Sequence, residues 1–149
     1  MKKLLLVATA FVFTLAVSAQ KADEVAKFNT ESYDFGKVKQ GTPVTYEFEI
    51  KNISDKPLVI ESATASCGCT VPQKPEEPIE PGKVGKLKVQ YNAAAVAPFT
   101  KDIYVKISGI AETKTVHITG EVLSQEAFDI YQKEKANTKP ADTKEKPKN

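Results

Sequence analysis

Tryptophan and arginine are missing from the 149 residues, and there are one histidine, one methionine and two cysteines. A single imidazole leaves no histidine-rich metal centre and no serine, histidine and aspartate spacing to argue from. Glycine-rich phosphate loops and His-Glu pairs are lacking as well, so the sequence points to no catalytic residues, no metal site and no cofactor. Arginine is the usual bidentate reader of phosphates and guanines. A chain without it, carrying 21 lysines against 19 acids, makes a poor nucleic-acid binder. The remaining composition, 41% hydrophobic and 27% charged, is that of one globular domain and excludes collagen, coiled coil and a multispan membrane protein.

Residues 1–19 read as an address. Lys2 and Lys3 precede an apolar run from Leu4 to Val17, and Val17 and Ala19 place small residues before Gln20. This is the layout of a cleavable secretory signal. The run is shorter than the roughly 20 residues needed to span a hydrocarbon core, so no membrane span is expected to remain. No cysteine follows it for lipid attachment. Cleavage after Ala19 leaves 19 lysines against 19 acids, and the exported product, periplasmic or extracellular, is electrostatically bland.

From Val44 the chain alternates with period two. Val44, Tyr46, Phe48 and Ile50 share one parity, and Thr45, Glu47, Glu49 and Lys51 share the other, as a strand with one buried face requires. The pattern recurs at Leu58 and Ile60, at Leu87, Val89 and Tyr91, at Ile103, Val105 and Ile107, and at Val116, Ile118 and Val122. Turn signals at Asn52 to Pro57, Pro81-Gly82, Asn92 to Pro98 and Ser108-Gly109 separate these runs. An earlier piece, Phe28 to Val38, is broken at Gly36 and suggests a split edge strand that changes partner. With no helical segment between them, the runs predict an all-β, immunoglobulin-like antiparallel β-sandwich of about seven strands over residues 28–123. The antibody subtype is excluded by the missing tryptophan and by cysteines too close to bridge two sheets.

Prolines at 72, 75, 78 and 81 keep a spacing of three, which matches a polyproline II turn and predicts a stiff extended connection. After Leu123, Ser124 is placed to cap a short helix through Tyr131 that gathers Leu123, Ala127, Phe128 and Tyr131 on one face. Gln132 to Asn149, with no aromatic residue and many lysines, reads as a solvated tail, so residues 124–149 hold a short helix and a lysine-rich extension.

Both cysteines lie in Ser66-Cys67-Gly68-Cys69-Thr70. In an oxidising compartment they are expected to pair with each other. Residues two apart in an extended strand sit about 6.5 to 7 Å apart at Cα, the upper edge of disulfide geometry, and Gly68 is the residue able to close that gap. So small a ring gives about 1.6 kcal/mol of loop-closure entropy, which leaves the bond weak as a stabiliser and keeps a redox role open. Four readings stand at this point: a structural bridge, a functional dithiol/disulfide pair, free or intermolecularly linked thiols, and two thiolates holding a soft ion such as Cu(I). His117, the one other nitrogen donor, falls on the solvent parity of its strand.

The strings Tyr33-Asp34-Phe35-Gly36-Lys37-Val38, Lys51-Asn52, Ser66-Cys67-Gly68-Cys69-Thr70, Ile79-Glu80-Pro81-Gly82, Phe99-Thr100-Lys101 and Ile118-Thr119-Gly120-Glu121-Val122 resemble the bacterial domain-of-unknown-function family 1573. The resemblance spans about Phe28 to Leu123. It implies a fold similar to the immunoglobulin-like domains of ciliary Hydin and nematode major sperm protein, which are interaction modules. It brings no catalytic residue; Gly68, Thr70, Pro81 and Gly82 enter as motif positions around Cys67 and Cys69. The expected activity is therefore that of an exported, non-enzymatic binding or adaptor module whose partner is another envelope or extracellular protein. The alternative is a thiol-disulfide or soft-metal protein acting through Cys67 and Cys69.

Overall fold

The computed structural model describes residues 20–137, so the signal read in residues 1–19 and the end of the lysine-rich extension, 138–149, lie outside the described residues. Eight strands run in chain order: β1 (Ala26–Phe28), β2 (Ser32–Lys39), β3 (Val44–Asn52), β4 (Ile60–Ala65), β5 (Thr70–Gln73), β6 (Val84–Tyr91), β7 (Pro98–Ile107) and β8 (Thr113–Leu123). Two helices flank them, α1 (Ala22–Val25) and α2 (Gln125–Asn137). The strands form two four-stranded sheets, β1-β3-β6-β5 and β2-β8-β7-β4, packed as an open immunoglobulin-like sandwich.

Alternation places the core. Phe48, Ile50, Leu87 and Val89 of the first sheet face Ile103, Val105, Ile107, Val116 and Ile118 of the second, and all are buried. Leu58 and Ile60 are buried as well, whereas Val44 and Tyr46, which share the apolar parity of β3, are only partly buried and pack against the rim of the core. Phe28, Val38, Ile79, Phe99 and Ile110 complete it from positions outside the regular runs.

The early segment does change sheets, but at Asn29–Glu31 rather than at Gly36. β1 pairs antiparallel with β3, and after three residues β2 joins the other sheet parallel to β8, the one parallel pair among the described strands. Gly36 instead occupies a bulge inside β2, where the register shifts between Asp34 and Lys37. Its φ of 66° lies in the region that only glycine enters cheaply, and its N–H is satisfied by Asp34 Oδ1 at 2.9 Å.

The proline spacing does not yield one stiff rod. Pro72 belongs to β5, opposite Val89, and Ile79 closes a bridge with Leu58 through reciprocal N–H to carbonyl bonds of 2.9 and 2.8 Å. Sheet pairing supplies backbone bonds that a polyproline helix lacks, and β5 is an edge strand, where a missing N–H is harmless. At the other end, α2 runs past Tyr131 to Asn137. Ser124 Oγ accepts from Ala127 N–H at 3.3 Å, and Ala127, Phe128 and Tyr131 form its partly buried face. No helix among the described residues is long and apolar enough to cross a membrane.

Candidate functional site

Two features on the rim of the sandwich carry chemistry. The first is the crossover from β4 to β5, where the chain passes from the edge of one sheet to the edge of the other. Cys67 and Cys69 are joined there as a disulfide, with their Cα atoms 5.3 Å apart, closer than an extended strand allows. Gly68 achieves this without the left-handed conformation, and a Cβ built on it meets nothing within 4 Å, so no steric demand for glycine exists at this position.

Backbone bonds hold the corner on both sides. Ser66 N–H donates to the Asp102 carbonyl at 2.9 Å, and Asp102 N–H returns a bond to Ser66 Oγ at 3.2 Å, which ties the turn to β7. Asn92 N–H donates to the Cys69 carbonyl at 3.0 Å, and Thr70 N–H to the Cys67 carbonyl at 3.3 Å. Cys69 packs on the hydrophobic core, while both cysteines keep partial exposure. Thr70 is buried, and its hydroxyl oxygen lies 3.7 Å from Cys67 Sγ and 3.9 Å from Cys69 Sγ. Sulfurs in a disulfide carry no hydrogen, so the hydroxyl is the donor.

Pro81 and Gly82 do not join this cluster. They precede the first residue of β6, whereas Thr70 stands opposite its last, Tyr91, so a strand of roughly 25 Å separates them. Gly82 serves a different centre that sequence reasoning missed: Asn52, fully buried, whose carbonyl accepts from Gly82 N–H at 2.9 Å. Its place in the sequence is a signal, since Asn52 continues the apolar parity of Val44 to Ile50. His117 faces outward and binds Asp102 Oδ1 through Nδ1 at 2.7 Å, again on the β7 rung that anchors Ser66. Among the described residues no group of three or more histidine, cysteine and acidic side chains is gathered as metal ligands.

The second feature is the open half of β3. β1 covers only Ile50 to Asn52, and Asn29 extends that cover by one rung, donating its N–H to the Glu49 carbonyl at 3.0 Å and accepting Glu49 N–H on Oδ1 at 2.9 Å. Glu49 thus turns its backbone groups away from β6. Residues two apart in a strand point the same way, so Glu47 and Thr45 present their N–H and C=O groups along the same edge. Behind this edge the Tyr46 ring stacks on Tyr33 of β2 with centroids 3.6 Å apart, Tyr33 meets Phe35 edge-on at 5.0 Å, and Asn29 Nδ2 donates to the Tyr46 hydroxyl at 3.1 Å. Tyr33, Phe35 and Tyr46 are partly buried, an aromatic wall closing one side of the sandwich. On the outer face Lys86 Nζ binds Glu47 Oε2 at 2.8 Å, and this hydrogen bond and charge hold the Glu47 carboxyl below its ordinary range.

Comparison with known proteins agrees with the fold. The sequence profile of a family described as a protein of unknown function, DUF1573, matches residues 26–122. No curated protein sequence matches the chain. Among solved structures, a protein of unknown function from Porphyromonas gingivalis W83 superposes with a TM-score of 0.57 at 19% identity, covering 74% of this chain and 51% of that one. The ASH/PapD-like domain 7 of human CEP192 gives 0.52 at 11% identity, covering 83% of this chain and 97% of that one. The VesB protease of Vibrio cholerae gives 0.54 at 14% identity over 68% of this chain, which spans only 33% of the protease. At such identities these likenesses show the fold alone, and the chain spans about half of the Porphyromonas protein.

Proposed function

Because the chain belongs to DUF1573, a family of unknown function, we propose from its geometry that it is an exported, non-enzymatic adaptor module that takes an extended segment of another envelope or extracellular protein as an added strand on the open half of β3. The observation that carries this reading is the edge at Thr45 and Glu47, which no strand among the described residues pairs. A row of outward backbone groups is a template for another chain unless it is blocked, and β1 followed by Asn29 already engages the adjoining half of the same edge in that manner. The aromatic wall of Tyr33, Phe35 and Tyr46 offers apolar surface to alternate side chains of the added strand. Export is supported by the charged, apolar and small-residue order of residues 1–19. The non-enzymatic character is supported by the immunoglobulin-like fold and by the lack of any nucleophile and base arranged together in the sequence.

The test is a selection of displayed peptides on the immobilised chain beginning at Gln20, followed by binding to a Glu47→Pro variant. Proline removes the outward N–H at 47 and leaves the β3–β6 bonds in place, so the fold should persist. Selected peptides with alternating apolar residues that lose about tenfold or more in affinity for the variant support the reading, at one to two lost backbone bonds. Selected peptides that bind wild type and variant equally would overturn it.

A further inference from the structure

The Cys67–Cys69 corner has no part in strand addition, and its asymmetry suggests a separate activity. We propose that it is a thiol-disulfide exchange site in which Cys67 is the sulfur attacked, Cys69 the sulfur that leaves first, and Thr70 the positioning residue that hydrogen-bonds the departing thiolate.

Three observations converge. Both cysteines are partly exposed, but Cys69 packs on the core and Cys67 is not part of that packing, which leaves Cys67 the less shielded target for an incoming thiolate. Thr70 is buried, and its single hydroxyl proton has both sulfurs within reach, Cys67 Sγ at 3.7 Å and Cys69 Sγ at 3.9 Å. A disulfide sulfur is a feeble acceptor and a thiolate a strong one, so this donor favours the reduced, charged state over the bridged one. Finally, the corner is held from both flanks by Ser66, Asp102 and Asn92, which keeps its frame in place when the bond opens.

The chemistry balances with an exported protein carrying two reduced cysteines as co-reactant. Its first thiolate attacks Cys67 Sγ; the bond between the two sulfurs breaks, a mixed disulfide forms, and the electron pair leaves on Cys69. The co-reactant's second thiolate then attacks its own sulfur in the mixed disulfide and releases Cys67 as thiolate. Two electrons pass to the pair, the co-reactant leaves oxidised, and the two thiolates take up protons according to pH.

Glutathione redox buffers and iodoacetamide alkylation test this on wild type, Thr70→Val and Thr70→Ser, with Cys67→Ser and Cys69→Ser used to trap mixed disulfides. Removing the hydroxyl should cut the dithiol population at a fixed glutathione ratio by roughly tenfold and move the alkylation profile to higher pH, and Thr70→Ser should restore both. Glutathione should label Cys67 in Cys69→Ser faster than Cys69 in Cys67→Ser. Equal behaviour of Thr70→Val and wild type, or preferential labelling of Cys69, would overturn the proposal. If Thr70→Val does not fold, the reduced wild type is compared with its own urea-unfolded form. Folded thiols that react no faster at neutral pH would likewise overturn it.

Discussion

The Asn52 side chain reaches across the fold to donate from Nδ2 to the Ile79 carbonyl at 2.7 Å, joining the end of β3 to the loop that leads into β6. The same nitrogen donates to the Lys56 carbonyl at 2.7 Å, and Oδ1 accepts from the Ser54 N–H and hydroxyl at 2.9 and 2.8 Å. With its own N–H on the Lys83 carbonyl at 2.9 Å, this fully buried amide organises two loops at once. Asn52→Leu keeps the volume and removes these side-chain bonds, so the Ser54 N–H loses its acceptor, while the Ile79 carbonyl keeps its bond from the Leu58 N–H and the Lys56 carbonyl its bond from the Ser54 hydroxyl. Losing four side-chain hydrogen bonds at a buried position is expected to cost about 2 to 3 kcal/mol, read as a fall in the urea midpoint.

The sheet faces were legible in the sequence because a period-two pattern fixes which residues turn inward, as the burial of Phe48, Ile50, Leu87, Val89, Ile103 and Val105 shows. Alternation says nothing about neighbours, however. The parallel register of Ser32 with His117 and the sheet change at Asn29–Glu31 depend on where the chain docks, and that stretch has no glycine or proline to mark it, so Gly36 drew the break. In the candidate site, the Cys67–Gly68–Cys69 spacing was readable. The burial of Thr70 beneath both sulfurs was not, since a threonine at a strand start carries no sign of which way its hydroxyl points. The open half of β3 was equally hidden, because it follows from where β1 stops.

Gly85 is required by what lies over it. A Cβ at this position would stand 2.4 Å and 2.6 Å from Ile79 Cδ1 and Cγ1 and 3.2 Å from Pro75 Cγ. Ile79 is buried and its backbone is bridged to Leu58, so it has little room to withdraw. Gly85→Ala should destabilise the domain by about 1 to 3 kcal/mol, the usual range for overpacking, whereas the paired variant Gly85→Ala with Ile79→Val should recover part of that loss. Thermal or urea unfolding of the three proteins provides the measurement.

Lys114 gives an alkaline signature. Its side chain is 11% exposed and its ammonium binds Asp23 at 2.6 Å and Glu31 at 2.5 Å, tying β8 to α1 and to the segment before β2. Burial opposes the charge, yet the two hydrogen bonds and charges outweigh it and raise the Lys114 pKa above its ordinary 10.5. A raised folded value means the stabilisation is complete below the unfolded pKa and disappears as pH climbs through the folded one. Wild type should therefore exceed Lys114→Met by about 1 kcal/mol at neutral pH, with the difference shrinking above about pH 10.5. Thermal midpoints of both proteins from pH 7 to pH 12 decide this, and a difference that stays constant across the range would show that packing of the stem, not the charge, is responsible.

Opening the Cys67–Cys69 bond should leave the sandwich folded. The ring closed by the bond contains three residues, for which loop-closure entropy contributes only about 1.6 kcal/mol, small beside the hydrophobic core formed by Phe48, Ile50, Leu87, Ile103 and Ile118. The turn also keeps its anchors after reduction, because the bonds of Ser66 to Asp102 and of Asn92 to Cys69 are made by backbone atoms and a serine hydroxyl rather than by sulfur. Cys67→Ser with Cys69→Ser is thus expected to lower stability by about 1 to 2 kcal/mol while retaining a β-sheet far-ultraviolet spectrum. Gly68→Ala should be nearly neutral, since the added methyl meets open space and the backbone at 68 is not left-handed. Urea titrations of the oxidised, reduced and double-serine proteins test the entropic account: cooperative curves for the latter two, displaced only slightly from the first, are expected, and collapse of the fold on reduction would show that the bridge, not the core, holds the corner of the two sheets together.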